Sequence, residues 1–437
     1  MGELFLIALI FSTGMASLVR PWIGICAYYL LAILGPQYIW WWNFEGLRVS
    51  LIVALCTLGG IGLQILKQTY DFSFFFTKQN LWLGFLWLCI TCSYFFGPYV
   101  PFFASSGLGP DQLFSITNTI FLFYFCAVLE MNETRKLHYL VIVFVVSIIY
   151  LTYWANNQYF SQNWAQFNAG RLMGPQDIRG GGIYGDENAF AMLFVTGSSF
   201  IYYLGWKINK KWLRWGLWAV IPLSWHAIFL TGSRGGLVGL VVVVLCVLLL
   251  SNRKLFALPM LLFFVGFYQW QGGDTMTERS QIIVNYGEDN SAGDRLTAWA
   301  GGLRMIVDRP LVGVGLGSFI TALPAYYESR PMVAHNTFIQ FAAESGVGAG
   351  LAYIMVVSLF YIHSKRIRRW CRRFSEDEEL QRIDLYNKAS TVSFTGLIVC
   401  SLFLSLNIYE LFFVLLLFNN ALYQICISKL NLKAENL

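Results

Sequence analysis

The feature that most limits what this chain can fold into is the recurrence of apolar runs, roughly 16–20 residues each, along nearly its whole length. A helix rises about 1.5 Å per residue, so each run is long enough to cross a hydrocarbon layer of about 30 Å. The spans fall near 3–18, 22–40, 49–66, 80–97, 113–130, 138–155, 188–206, 213–230, 236–250, 255–270, 338–362, 389–405 and 409–428. Charged residues make up only 12% of the chain, about half the share typical of soluble domains. The sequence therefore predicts an all-α polytopic membrane protein with about 12–13 transmembrane helices. The run at 4–18 has no basic residues before it and leads through Arg20-Pro21 into the next apolar run. It reads as a retained helix rather than a cleaved leader.

Five segments follow from the spacing. Residues 1–155 carry the first transmembrane helices, and 156–187 form an outer loop rich in Asn, Gln and Gly. Residues 188–270 hold the central helices, and 271–337 form the largest extramembrane segment. Residues 338–437 hold the last helices, with a basic loop at 363–388. Within the large segment, Asp294 to Val307 reads as an amphipathic helix with Leu296, Trp299, Leu303, Met305 and Ile306 as apolar positions, ended by Arg309-Pro310. Gly59-Gly60 and the stretch from Gly232 to Gly236 mark close packing or broken helix.

Orientation follows from the basic residues. The loop at 363–388 carries eight lysines and arginines and is assigned to the cytoplasm. Alternating the spans from there puts all eleven lysines, from Lys67 to Lys433, on that side and leaves the outer side with arginine alone. The basic run reads as an anchor to anionic membrane lipid. It is short and precedes Glu376-Asp-Glu-Glu379, so nucleic-acid binding is not expected. The cysteines sit mostly inside apolar runs as small packing residues; Cys89 and Cys92 have no further ligand near them. No disulfide, metal site or cofactor motif is expected.

Three outer positions stand out. Arg234, in Thr231-Gly-Ser-Arg-Gly-Gly236, lies between long apolar runs, where an ionisable group needs a partner or a function. Arg295 heads the amphipathic helix, where it either pairs with the adjacent Asp294 or faces an anion. Two guanidinium forks from different segments suit a pyrophosphate, on which charge develops as it leaves. His335 lies just before a helix that starts near Phe338, where an imidazole can exchange protons with a hydroxyl or simply bond the backbone. Asn336 fits the N-cap of that helix. Glu344 lies about two turns further on and needs a hydrogen-bond or ionic partner at that depth. Asp186-Glu-Asn188 is compatible with a cation site, but an ordinary acidic helix start explains it better. His138, His226 and His363 have no partners at ligand spacing and read as structural.

These residues lie in blocks whose order resembles the O-antigen ligase and O-antigen polymerase superfamily. The blocks are Thr231-Gly-Ser-Arg234-Gly-Gly, Gly293-x-Arg295-x3-Trp299, Asp308-Arg-Pro-Leu-Val-Gly-Val-Gly-Leu-Gly-Ser-Phe319, His335-Asn336, and Glu344-Ser-Gly346-x-Gly348. Arg20-Pro-Trp-Ile-Gly24 and Gly185-Asp-Glu-Asn-Ala-Phe190 are more loosely similar to the O-glycosylation ligases of exosortase-associated systems. The resemblance implies an inverting, metal-independent glycosyltransferase in the bacterial inner membrane, taking a glycan from undecaprenyl pyrophosphate on the periplasmic side. Arg234 and Arg295 would hold the pyrophosphate, and His335 would activate or position the acceptor hydroxyl. Asn336 and Glu344 fall on motif positions and join the candidate substrate site. The hydroxyl could belong to a lipid A core sugar, a glycan repeat unit or a protein, so ligase, polymerase and protein O-oligosaccharyltransferase remain open. A lipid-linked sugar transporter or flippase is the competing class; it would need polar residues spread through the membrane interior.

Overall fold

The computed structural model describes residues 2–40, 49–67, 70–103, 108–176, 184–250, 290–374 and 376–435, with the isolated positions 262 and 266. Apart from positions 262 and 266, the predicted span 255–270 lies outside the described residues, as do the glycines at 180–182 and residues 271–289 of the large segment.

The described chain is a helical bundle. Its helices are α1 (Gly2–Val19), α2 (Pro21–Leu34), α3 (Pro36–Ile39), α4 (Val49–Leu66), α5 (Lys78–Phe96), α6 (Pro110–Glu130), α7 (Thr134–Phe160), α8 (Glu187–Gly205), α9 (Lys211–Thr231), α10 (Arg234–Leu250), α11 (Asn290–Asp308), α12 (Phe319–Tyr326), α13 (Thr337–Arg373), α14 (Glu378–Ser401) and α15 (Glu410–Glu435). A two-stranded antiparallel hairpin pairs Phe167–Asn168 with Arg171–Leu172. Six helical stretches are long and apolar enough to cross a membrane, and three shorter apolar helices accompany them. The protein is an all-α polytopic membrane protein.

Local chemistry sets the helix starts. Pro21, Pro36 and Pro110 occupy first turns, where a missing N–H costs nothing. Thr77 caps α5 through Asn80 N, and Asp377 caps α14 through Glu379 N and Leu380 N. Packing joins α5 to α13, α8 to α9 and α14, and α1 and α2 to α4. A Cβ on Gly60 would stand 2.2 Å from the Ser17 carbonyl oxygen, so α4 meets the α1–α2 corner backbone to backbone there.

The 363–388 stretch differs from its prediction as a loop. Helix α13 runs on to Arg373, and α14 begins at Glu378, so only a short turn separates them. Phe360, His363, Ser364, Ile367 and Cys371 form a buried stripe at helical spacing, which extends the core beyond the hydropathic run. Lys and Arg are good helix formers on the opposite face. From Val347 to Arg373 alone α13 is about 40 Å long, beyond what a bilayer core requires.

Bundle ends are defined by cross-helix contacts. At one end Thr134 Oγ1 donates to Glu379 at 2.6 Å and Lys429 pairs with Asp377 at 3.2 Å, while Lys388 pairs with Asp384 at 2.6 Å within α14. By alternation of helix direction the described lysines collect there. His335 lies at the other end.

At the His335 end, α13 is broken. Gly346 has φ +83 and ψ 170, outside the helical region. The break frees the carbonyls of Ala343 and Glu344, and the glycine-rich loop 309–318 closes them. Val314 N donates to Ala343 O at 2.9 Å, and Gly315 N to Glu344 O at 3.1 Å. Val347 N donates back to Pro310 O at 2.8 Å, and Ser93 Oγ reaches Glu344 O at 2.6 Å from α5. A Cβ on Gly346 would lie 2.2 Å from Leu311 O, and one on Gly313 (φ +69) 2.3 Å from Glu344 O. Both strain and collision oppose a side chain here. Gly346→Ala and Gly313→Ala should each lower stability by on the order of 2 kcal/mol or more, read as a lower Tm of the purified chain in detergent; an unchanged Tm would show that the loop is not locked into the break.

Candidate active site

Three helix N-termini meet at the His335 end. Helix α8 is capped by Asp186, which accepts from Asn188 N and Ala189 N. This is the helix start expected of Asp186-Glu-Asn188. Helix α10 begins with Arg234 and is capped by Ser233, whose Oγ accepts from Gly236 N at 3.0 Å. Helix α13 is capped by Asn336, which accepts from Ile339 N at 3.1 Å. The segment 400–409 ties the three together. Asn336 Nδ2 donates to Leu402 O at 3.2 Å, and Thr337 Oγ1 to Leu404 O at 2.7 Å. Cys400 Sγ meets Gly235 O at 3.3 Å, and Tyr409 OH donates to Ala189 O at 2.9 Å. Ser233 Oγ also donates to Asn188 Oδ1 at 2.8 Å, joining α10 directly to α8. Each helix N-terminus carries a fraction of a positive charge, so their convergence favours an anion.

His335 is held in an unusual backbone state. Its φ is +48, in the left-handed region, which costs a residue with a Cβ on the order of 1 kcal/mol or more. Flanking bonds hold it there. Trp299 Nε1 donates to Ala334 O at 2.9 Å, and Ala334 N donates to Gln340 Oε1 at 2.9 Å. Asn336 then caps the helix, with both ends of its side chain engaged by the fold. Gln340 also accepts from Ser405 Oγ at 3.0 Å and donates through Nε2 to Glu344 Oε1 at 2.6 Å. Glu344 Oε1 accepts from Phe319 N at 3.2 Å as well. Glu344 thus finds its partners in an amide and a backbone N–H, and it links the glycine-rich loop to the His335 segment through Gln340.

Arg295 stands close enough to His335 for its charge to bear on the imidazole. Burial, and then that charge, hold His335 below its ordinary pKa of 6.5, while Glu187 and Asp294 pull the other way. The imidazole is therefore neutral at pH 7 and able to take a proton. Asp294 forms an ion pair with Arg330, and Glu187 pairs with Arg171 at 2.7 Å. Among the described residues, no group of three or more His, Cys, Asp or Glu side chains is placed to hold a metal ion.

His335 and Arg295 are brought together, and the Arg234 helix start is joined to the His335 helix start through segment 400–409. Gln340 and Arg171 take part in this arrangement without having been assigned roles from sequence, and Glu187 and Trp299 were read only as a helix-start residue and a helix-face residue. Gln340 carried a signal: a polar residue at i, i+4 spacing from Glu344 inside an apolar stretch. The influence of Glu187 on His335, and its pairing with Arg171, come from packing that the sequence does not record. The other histidines stand apart: His138 meets Tyr386, His226 lies 2.7 Å from Asn156, and His363 stacks on Tyr423.

The fold is thus a helical membrane bundle in which Arg295, His335 and three helix N-termini lie toward one end. Residues 219–354 match the family model described as O-antigen ligase, so this part of the chain is similar to that family. That segment contains Arg234, Arg295, His335, Asn336 and Glu344. Residues 1–156 match a family of unknown function. No curated protein matches the chain.

The electrostatics give a directional test. Arg295→Gln should raise the pKa of His335 and Glu187→Gln should lower it, because one removes a repelling charge and the other an attracting one. The pH dependence of His335 carbethoxylation, followed by peptide mass, reads this directly. Identical profiles in both variants and the parent would place neither charge beside the imidazole.

Proposed function

We propose that the protein is a glycosyltransferase that moves a glycan from undecaprenyl pyrophosphate to a hydroxyl acceptor on the periplasmic face of the bacterial inner membrane. One observation carries this reading. A neutral histidine, fixed in a strained backbone state beside Arg295, sits where the helix beginning with Arg234 meets two other N-termini, inside the segment matched to O-antigen ligases. The outer placement is supported by the division of basic residues, with lysines collected at the opposite end.

The chemistry balances with these groups. The acceptor oxygen attacks the anomeric carbon from the face opposite the leaving group, and its proton passes to His335. The anomeric C–O bond to phosphate breaks, and its electron pair leaves with the pyrophosphate. Arg234, Arg295 and the helix N-termini stabilise that charge as it develops. Inversion at the anomeric carbon follows from this single displacement, and no metal is assigned a role. Ligase, repeat-unit polymerase and protein O-oligosaccharyltransferase differ only in the acceptor. The amino-terminal likeness to O-glycosylation ligases bears on that choice, not on the donor side.

The test is transfer by the purified chain, reconstituted with a polyprenyl-pyrophosphate glycan and each acceptor class. His335→Ala should lower kcat by about 10²–10⁴-fold. Arg234→Lys and Arg295→Lys should each cost about 10–100-fold, because an ammonium cannot reproduce the bidentate fork. The parent's rate should fall only at a pH lower than the ordinary imidazole range, because burial and the Arg295 charge keep the His335 base unprotonated further into acid. Variants as active as the parent would misplace the site, and movement of the donor across the bilayer without transfer would identify a flippase instead.

A further inference from the structure

Helix α11 has apolar residues on two faces. One is internal: Ala298 and Met305 are fully buried, Gly301 abuts Leu323 and Gly302 abuts Ile339. The other points out. Leu303 is exposed, Val307 is 82% exposed, and Leu311, just beyond the helix, is 85% exposed. An amphipathic helix outside the membrane needs only its inner face, so the outer one requires another explanation.

Its position supplies one. Pro310 O accepts from Val347 N, which puts Leu311 beside the point where α13 resumes after its break. From Val347 onward, Leu351, Ile354 and Ile362 are exposed on α13 at helical spacing, as residues facing hydrocarbon are. On the other side Ser93 Oγ bonds Glu344 O, so the final residues of α5 stand at the same level as the break. Those residues include Phe95 and Phe96, both exposed, the latter by 72%. Leu303, Val307 and Leu311 thus continue a lipid-facing surface past the ends of two membrane helices. Arg309, half exposed and paired with Asp308, lies between Val307 and Leu311 and gives this surface the cationic flank that interfacial helices present to lipid phosphates.

We infer that the outer face of α11, with Leu311, is embedded in the acyl chains of the adjoining leaflet, making α11 an interfacial helix rather than part of a freely solvated domain. The occupant is bilayer hydrocarbon, not a second copy of the chain. This inference is independent of the transfer chemistry. If it holds, the leaflet sets the depth at which Arg295 and Trp299, carried on the same helix, stand relative to the headgroups.

The test places a small fluorescent amino acid singly at 303, 307 or 311 of the full chain, with Glu328, exposed beyond α12, as the control site. Each protein is reconstituted into phosphatidylcholine and phosphatidylglycerol vesicles with or without bromine on the upper acyl carbons. Quenching by bromine should be several-fold stronger at 303, 307 and 311 than at 328. Equal, weak quenching at all four positions would put the face in water and overturn the inference. Weak quenching with energy transfer between differently labelled copies would assign the face to a self-interface and also overturn it. Hydroxyl-radical footprinting of the unsubstituted chain in the same vesicles guards against perturbation by the label. Leu303 and Leu311 should be protected relative to Tyr327, and labelling of the leucines as strong as that of the tyrosine would count against embedding.

Discussion

The structure at the functional end depends on one backbone event, the interruption of α13 at Gly346. A helix broken within a bundle leaves carbonyls that must find donors. Here the donors come from Val314 and Gly315 of the glycine-rich loop and from the hydroxyl of Ser93. The glycines in the two motifs are two halves of one joint: the loop needs them to approach the break, and the break needs Gly346 to receive the loop. From this joint Glu344 reaches Phe319 N and Gln340, and Gln340 reaches Ala334 N. The orientation of His335 is thereby coupled to the same joint by a short chain of buried hydrogen bonds.

The bundle was legible in the sequence because hydropathy records burial in lipid. Among the described residues its helices appear near the expected positions, as does the amphipathic helix expected within 271–337. The sequence was misleading at 363–388, where charge hid an amphipathic continuation of α13 behind Arg366, Arg369, Arg372 and Arg373. The charges face away from the stripe formed by Ile367 and Cys371, which a running average of hydropathy cannot separate. The break at Gly346 was hidden for a related reason. A single glycine in an apolar run is common in membrane helices, and only the partner loop shows that this one ends a segment.

The site was legible in part. Arg234, Arg295 and His335 stood out because ionisable residues near a membrane require a reason. What the sequence could not provide was the relation among them. The segment 400–409, which carries no charge, brings the helix starts of α10 and α13 together through backbone carbonyls. Such contacts leave no compositional trace. Glu187, itself paired with Arg171, likewise enters the electrostatic surroundings of His335 from a distant part of the chain. Asn336 and Glu344, which sequence reasoning set beside the substrate, have their side chains engaged in the capping and relay that hold His335.

The central claim is that two arginines and converging helix N-termini form a site for pyrophosphate at the edge of a bilayer. It is tested most directly by equilibrium binding of a polyprenyl pyrophosphate to the purified chain in nanodiscs, beside the monophosphate of the same lipid. The expected result is a preference for the pyrophosphate on the order of tenfold or more, lost when Arg234 and Arg295 are both replaced by glutamine. Equal affinity for the two lipids, or a preference that survives the double replacement, would contradict it.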